Sequence, residues 1–251
     1  MNCPSDKQKF NRFGVCGFDI ELIVLWIIGL ATRFAYIILY PVPNRDSFKY
    51  EEFITLWETN GVFPTISSYP PLSLYLFKLT HALLGGSIIK CNIICNMIFS
   101  MATLAVVYYI SNRIIRSKPI CFLITLVFAT HPFVVAYSCQ GTRETIYLFF
   151  SLLALYSIYQ SVVCNRIIDV MKSAFYSTLG FMTRHEGLEL IVVFMIASLV
   201  FRKRSGKLEA LQRILLLMVI SICVFMLLSS FMGVSFDYYF NYLPKYNRVM
   251  K

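Results

Sequence analysis

Charge is what this sequence has least of. Lysine, arginine, aspartate and glutamate together make up 14% of its 251 residues, against roughly 25% in an average soluble domain. With 58% hydrophobic residues and a mean hydropathy of +0.67, that shortage excludes an ordinary soluble domain. A chain of this length cannot bury so much apolar surface without leaving large exposed patches. Internal repeats, low-complexity tracts and soluble linkers are also missing. No cysteine pair sits at metal-binding spacing beside a histidine. The eight cysteines fall largely in or beside apolar runs, where a thiol behaves as a small hydrophobe. The first apolar run, Ile20 to Tyr40, has no small-residue cleavage site and is longer than a signal-peptide core. It reads as a retained signal anchor.

Acids are scarcer than bases, 13 against 23, for a formal charge of +10. A basic excess can neutralise nucleic-acid phosphates. Here the bases sit in short clusters between apolar runs, which is the pattern of cytoplasmic membrane loops, so no nucleic-acid partner is expected.

A spanning helix takes about 20 mainly apolar residues. Candidates are 20–40, 88–111, 119–138, 145–164, 187–201 and 211–233, with 72–86 and 173–185 ambiguous. Loop charge decides the first of these. With a cytoplasmic amino terminus (residues 1–19) and 72–86 lying in the interface, 13 of the 23 basic residues fall inside. Asp46, Glu51, Glu52, Glu58, Glu144, Glu186 and Asp237 fall outside. Were 72–86 to span, the arginine-rich loops would face outward. Its Leu72, Leu76, Leu79 and Leu83 recur at helical intervals, as in an interfacial helix. Residues 173–185 then cross or half-cross. The fold expected is all-α and polytopic: a membrane domain over 20–233 with about seven spans, an outer loop with an interfacial helix over 41–87, and an aromatic, basic outer tail over 234–251.

Four polar clusters gather on the outer side under this topology. They are Asn44-Arg45-Asp46 with Lys49 and Tyr50, then Ser68-Tyr69-Pro70-Pro71-Leu72, then Gln140-Gly141-Thr142-Arg143-Glu144, and finally Thr183-Arg184-His185-Glu186-Gly187. Ionisable groups at membrane depth are functional candidates by default. Each cluster also has a plain structural reading: a solvated Arg45–Asp46 pair, an acid at a helix start, a proline-rigid turn, a helix-turn ion pair. Arginines suit phosphate oxygens, and a carboxylate at the surface can take the proton of an acceptor hydroxyl. Together they suit transfer of a group from an anionic lipid donor. A divalent cation is compatible with acids beside phosphate, although no ligand set stands out.

The order of these clusters resembles the GT-C superfamily of polyprenyl-phosphate-sugar glycosyltransferases, with the closest likeness to relatives of protein O-mannosyltransferases and lipid A aminoarabinose transferases. The residues that carry it are Asp46 with Tyr50, Tyr69-Pro70-Pro71-Leu72, Gly85-Gly86-Ser87, His131-Pro132, Arg143-Glu144 and Thr183-Arg184-His185-Glu186-Gly187-Leu188. The resemblance implies that Asp46 is the catalytic base and that Glu144 supports it. It puts Tyr50, Tyr69, Arg143, Arg184, His185 and Glu186 around the substrate. Some relatives carry Glu-Lys just before Pro-Pro-Leu; here Ser68 and Tyr69 stand there, which leaves the phosphate contact to Arg143 or Arg184. Relatives usually run on through further spans, so the resemblance covers an amino-terminal catalytic half. It further implies a polyprenyl-phosphate sugar donor, a lipid, glycan or protein acceptor, and a bacterial plasma membrane with the site facing outward. Two other readings remain at this point, a lipid or sugar transporter (flippase) and an inactive scaffold of the same fold. Transporters tend to show repeated halves and polar groups near the midplane, whereas this chain has neither.

Overall fold

A computed structural model describes residues 20–41, 43–64, 69–115, 117–164, 166–200 and 207–234. The amino-terminal segment, Ser68, Arg116, the basic stretch 201–206 and the tail beyond Val234 lie outside the described residues, and so do the expectations that fall on them.

The described residues form α-helices joined by short turns. In chain order they are α1 (Ile20–Leu39), α2 (Arg45–Asn60), α3 (Pro71–Leu84), α4 (Ile88–Ile114), α5 (Lys118–Thr130), α6 (Pro132–Cys139), α7 (Glu144–Cys164), α8 (Ile167–Thr183), a 3-10 turn (His185–Gly187), α9 (Leu188–Val200) and α10 (Lys207–Phe231). The all-α, multi-pass membrane architecture read from composition is present. Four helices are long and apolar enough to cross a bilayer, α1, α4, α7 and α10, and α5 with α6 makes a fifth if the bent pair is one span. Helix α8 has 17 residues and α9 has 13, short of the roughly 20 that a full crossing takes. Of the seven spans expected, four or five therefore have the length and composition to cross among the described residues.

Proline explains the break in the third apolar run. Pro132 has no N–H to give the preceding turn and so starts a new helix, and α6 leaves α5 at 52°. One carbonyl at the break is taken by α1: Thr32 Oγ1 and Arg33 Nη1 both donate to Ala129 O. Arg33 is wholly buried, and its Nε and Nη2 donate to Ser100 Oγ at 3.0 and 2.6 Å. Along α4, Asn92, Asn96, Ser100 and Thr103 are all buried. Their spacing places them on one stripe of the helix.

The first loop holds more structure than its polarity suggests. Asn44 caps α2, its side chain accepting from the Asp46 N–H, and Gly61 ends the helix in the left-handed conformation. Ser47, Tyr50, Ile54 and Trp57 recur at helical spacing and are buried. Pro71 opens α3, as the turn reading of Tyr69-Pro70-Pro71 requires. Residues Pro71, Leu72, Ser73, Leu74 and Phe77 of α3 are buried, and Tyr50 packs on Tyr69 and Phe77. The two loop helices are pinned by His81 Nδ1 against Glu58 Oε1 at 2.9 Å and by Lys78 Nζ over the Trp57 ring at 3.9 Å.

One end of the bundle gathers the turns that matter. Gln140, after α6, takes part in bonds with Tyr36 of α1 and Asn44 before α2, and its carbonyl accepts from Ser47 Oγ of α2. Asn96 Nδ2, near the start of α4, donates to Thr142 O. Phe231, at the end of α10, meets Tyr75 of α3. Helices α1, α5–α6 and α10 thus end where α4 and α7 begin. Helices α2 and α3 lie at that same end, and α3, with 14 residues, is short of a full crossing.

Candidate active site

Each site residue is held by a local device. Asp46 lies in the first turn of α2, just past the Asn44 cap. Tyr69 precedes the proline start of α3. Glu144 is the first residue of α7, where unpaired N–H groups favour an acid. Arg143 stands on the turn before it, and that turn requires Gly141, whose φ is +64°. A Cβ there would also lie 3.1 Å from that of Asn92. Arg184, His185 and Glu186 form the sharp corner from α8 into α9. Gly187 makes that corner feasible: a Cβ on it would lie 2.3 Å from Phe181 N.

These devices bring the four clusters together. Tyr69 donates to Asp46 Oδ1 at 3.1 Å, and Lys49 Nζ is 4.0 Å from the same oxygen. The guanidinium of Arg143 lies over the Tyr69 ring at 5.4 Å. Arg184 Nη1 is 3.7 Å from Glu144 Oε1, and its Nε is 2.9 Å from Glu186 Oε2. Tyr50 packs edge-on to Tyr69, 4.8 Å between centroids. All eight residues singled out in the sequence, Asp46, Glu144, Tyr50, Tyr69, Arg143, Arg184, His185 and Glu186, fall in this one region. The side chain that sequence reading missed is Tyr147, one turn into α7, whose ring faces the Arg184 guanidinium at 5.9 Å. Its only sequence signal is its place three residues beyond Glu144.

The electrostatics follow from the crowding. Burial raises the Tyr50 hydroxyl well above its usual range, with Arg143 opposing. Tyr69 is raised by burial and by the Asp46 carboxylate. Both phenols therefore stay protonated, and Tyr69 donates to Asp46. Burial acts to raise Glu186, but its bond with Arg184 prevails and holds it ionised. Burial acts against the Arg184 cation too, and Glu186 and Glu144 outweigh it. His185 is pushed down to about 4 by burial and by Arg143, against the pull of Glu186. A neutral imidazole here keeps the local positive charge on the arginines.

That shift carries a pH signature. Between the usual histidine range near 6.5 and about 4, the unfolded chain holds a proton at His185 that the folded protein does not. Stability therefore falls as pH drops through that window. Thermal unfolding in detergent from pH 7 to 4.5 is expected to lower the melting temperature of the wild type by a few degrees more than that of His185→Gln. Equal slopes for the two proteins would refute the assignment.

Among the described residues, no group of three or more His, Cys, Asp or Glu side chains is placed to hold a metal ion.

Comparison with known families places this geometry. Residues 68–230, well over half of the chain, match the dolichyl-phosphate-mannose-protein mannosyltransferase family. The chain belongs to that family. It is a family of membrane glycosyltransferases of the GT-C type that work with lipid-linked sugar donors. No curated protein and no solved structure matches the chain. The family match takes in Tyr69, Arg143, Glu144, Arg184, His185 and Glu186, while Asp46 and Tyr50 lie ahead of it.

Proposed function

We propose that this member of the mannosyltransferase family moves one sugar from a polyprenyl-phosphate carrier to a hydroxyl acceptor on the outer face of the membrane, with inversion. One observation carries the reading. Asp46 and Arg143 meet at Tyr69, and the next residue along, Glu144, holds Arg184, so that two carboxylates and two arginines share one end of the bundle. The arginines bind and neutralise the phosphate, which stabilises it as it leaves. The acceptor oxygen forms a bond to the anomeric carbon as the carbon–oxygen bond to phosphate breaks. The phosphate departs with that electron pair, and Asp46 takes the acceptor's proton. Glu144 holds Arg184 in place through its Oε1 contact. An outward site fits the basic residues Arg113, Lys118, Arg166 and Arg213, which stand at the other ends of the helices in the positive-inside sense. In a bacterium this membrane is the plasma membrane.

The test is turnover. Purified wild-type protein in nanodiscs, given a radiolabelled polyprenyl-phosphate sugar, is expected to release polyprenyl phosphate and label an acceptor. Movement of the intact donor across vesicles without any release would replace the transferase with a flippase.

A further inference from the structure

Beside the site lies a half-open cavity of about 210 Å³ lined by α4, α5, α6 and α7. It is smaller than the roughly 300–1,000 Å³ of a pocket that holds a whole ligand, so it suits part of one. Phe128, Phe133, Val134 and Leu148 give it an apolar wall, and Glu144 and Thr145 lie at its polar end. Glu144 is shared. Its Oε1 faces Arg184 at 3.7 Å, whereas its buried Oε2 finds no hydrogen-bond partner among the described residues, and neither does the buried Thr145 hydroxyl. Thr145 is 4% exposed. A buried acceptor and a buried hydroxyl left without partners are costly. In a mainly apolar cavity they mark where a polar group of a ligand would bond.

Charge decides what that ligand is. Neither lysine nor arginine lines the cavity, and the guanidinium of Arg33 behind it is already occupied by Ser100, Gly29 and Ala129. A phosphate brought next to the Glu144 carboxylate there would meet repulsion, because the cation at Glu144, Arg184, is already shared with Glu186, and His131 is the one basic side chain in the lining. The phosphate-bearing donor therefore belongs with Arg143 and Arg184. The rim carries Phe133 and Tyr137, 68% and 41% exposed, on a helix that the Pro132 break turns away from α5. An exposed aromatic rim suits an amphiphile arriving from the bilayer.

We infer that this cavity seats the apolar chain of a neutral, hydroxyl-bearing lipid acceptor, with one head hydroxyl bonded to Glu144 Oε2 and Thr145 and the next presented to Asp46. The inference rests on the transferase reading above and adds the acceptor class to it.

Two photoreactive decyl probes test it on the full chain in nanodiscs, one ending in a vicinal diol and one in a phosphate monoester. The diol probe is expected to label Phe133, Tyr137 or Leu148 at least about tenfold more than the phosphate probe does. Excess unlabelled decyl diol should compete that labelling away. Leu148→Trp, which fills the cavity from α7, should abolish it, and Val134→Trp serves if that variant does not fold. Equal labelling by the phosphate probe would overturn the inference and give the cavity to the donor chain. Displacement of the diol by a serine-containing peptide at lower concentration than decyl diol would overturn the lipid assignment. Failure of the transferase reading shows separately, as wild-type protein that never releases polyprenyl phosphate.

Discussion

Asp46→Asn is expected to abolish sugar transfer while leaving donor binding in place. Asparagine keeps the size of the side chain and an oxygen to accept from the Tyr69 hydroxyl, which in the wild type donates to Asp46 at 3.1 Å. The helix start survives as well, because the cap on α2 comes from Asn44. What is lost is the ability to take a proton, together with the long 4.0 Å pairing with Lys49. Removing a positioned general base costs about 10²–10⁴-fold in turnover. Since Arg143 and Arg184 remain to hold the phosphate, the loss should appear in kcat rather than in the donor KM. Binding of the bare polyprenyl phosphate, followed by quenching of intrinsic fluorescence, should match the wild type. Turnover within about threefold of the wild type would remove Asp46 from its role.

Ser100→Ala is expected to be among the most destabilising small substitutions in the chain, and worse than removing the charge that it serves. Ser100 Oγ accepts from two nitrogens of Arg33, and Arg33 is 0% exposed. Without that oxygen the guanidinium keeps only Nη1 contacts, to Gly29 O and Ala129 O at 2.7 and 3.3 Å. Stranding a buried charge costs about 3–5 kcal/mol, whereas replacing it with an apolar side chain of similar volume is often close to neutral. Arg33→Met should thus melt closer to the wild type than Ser100→Ala does. At about 2–4 °C per kcal/mol for a chain of this size, the gap approaches 10 °C. The double variant should melt no lower than Arg33→Met alone, because the two residues act through one contact. A Ser100→Ala protein more stable than Arg33→Met would show that the guanidinium finds other acceptors.

Much of this site was legible before any coordinates, because its parts lie on turns that announce themselves. Proline at 71 and 132, glycine at 141 and 187, and acids at helix starts mark the ends of elements. Ionisable groups beside apolar runs have few bland roles. Loop charge kept 72–86 out of the spanning set, and α3 has only 14 residues. Helix α2 was hidden although its signals were present: Asn44 and Gly61 bracket it, and Ser47, Tyr50, Ile54 and Trp57 share a stripe. Its exposed face is so polar that the stretch reads as loop. Arg33 was passed over within an apolar run because its partner is a neutral hydroxyl 67 residues away, and such a pairing leaves no complementary charge to find. The lengths of α8 and α9 depend on where the chain turns between them, and although Gly187 marks that corner, its close packing on the Phe181 backbone shows only in the structure.

The polar stripe on α4 has a consequence for the birth of the protein. When α4 emerges from the ribosome, Arg33 has already been made and can meet Ser100 at once. Asn96 must wait for Thr142, 46 residues later in the chain. In that interval an amide faces whatever surrounds the nascent helix, and lipid offers it nothing to bond. The turn that carries Arg143 and Glu144 thus also supplies the carbonyl that this amide requires.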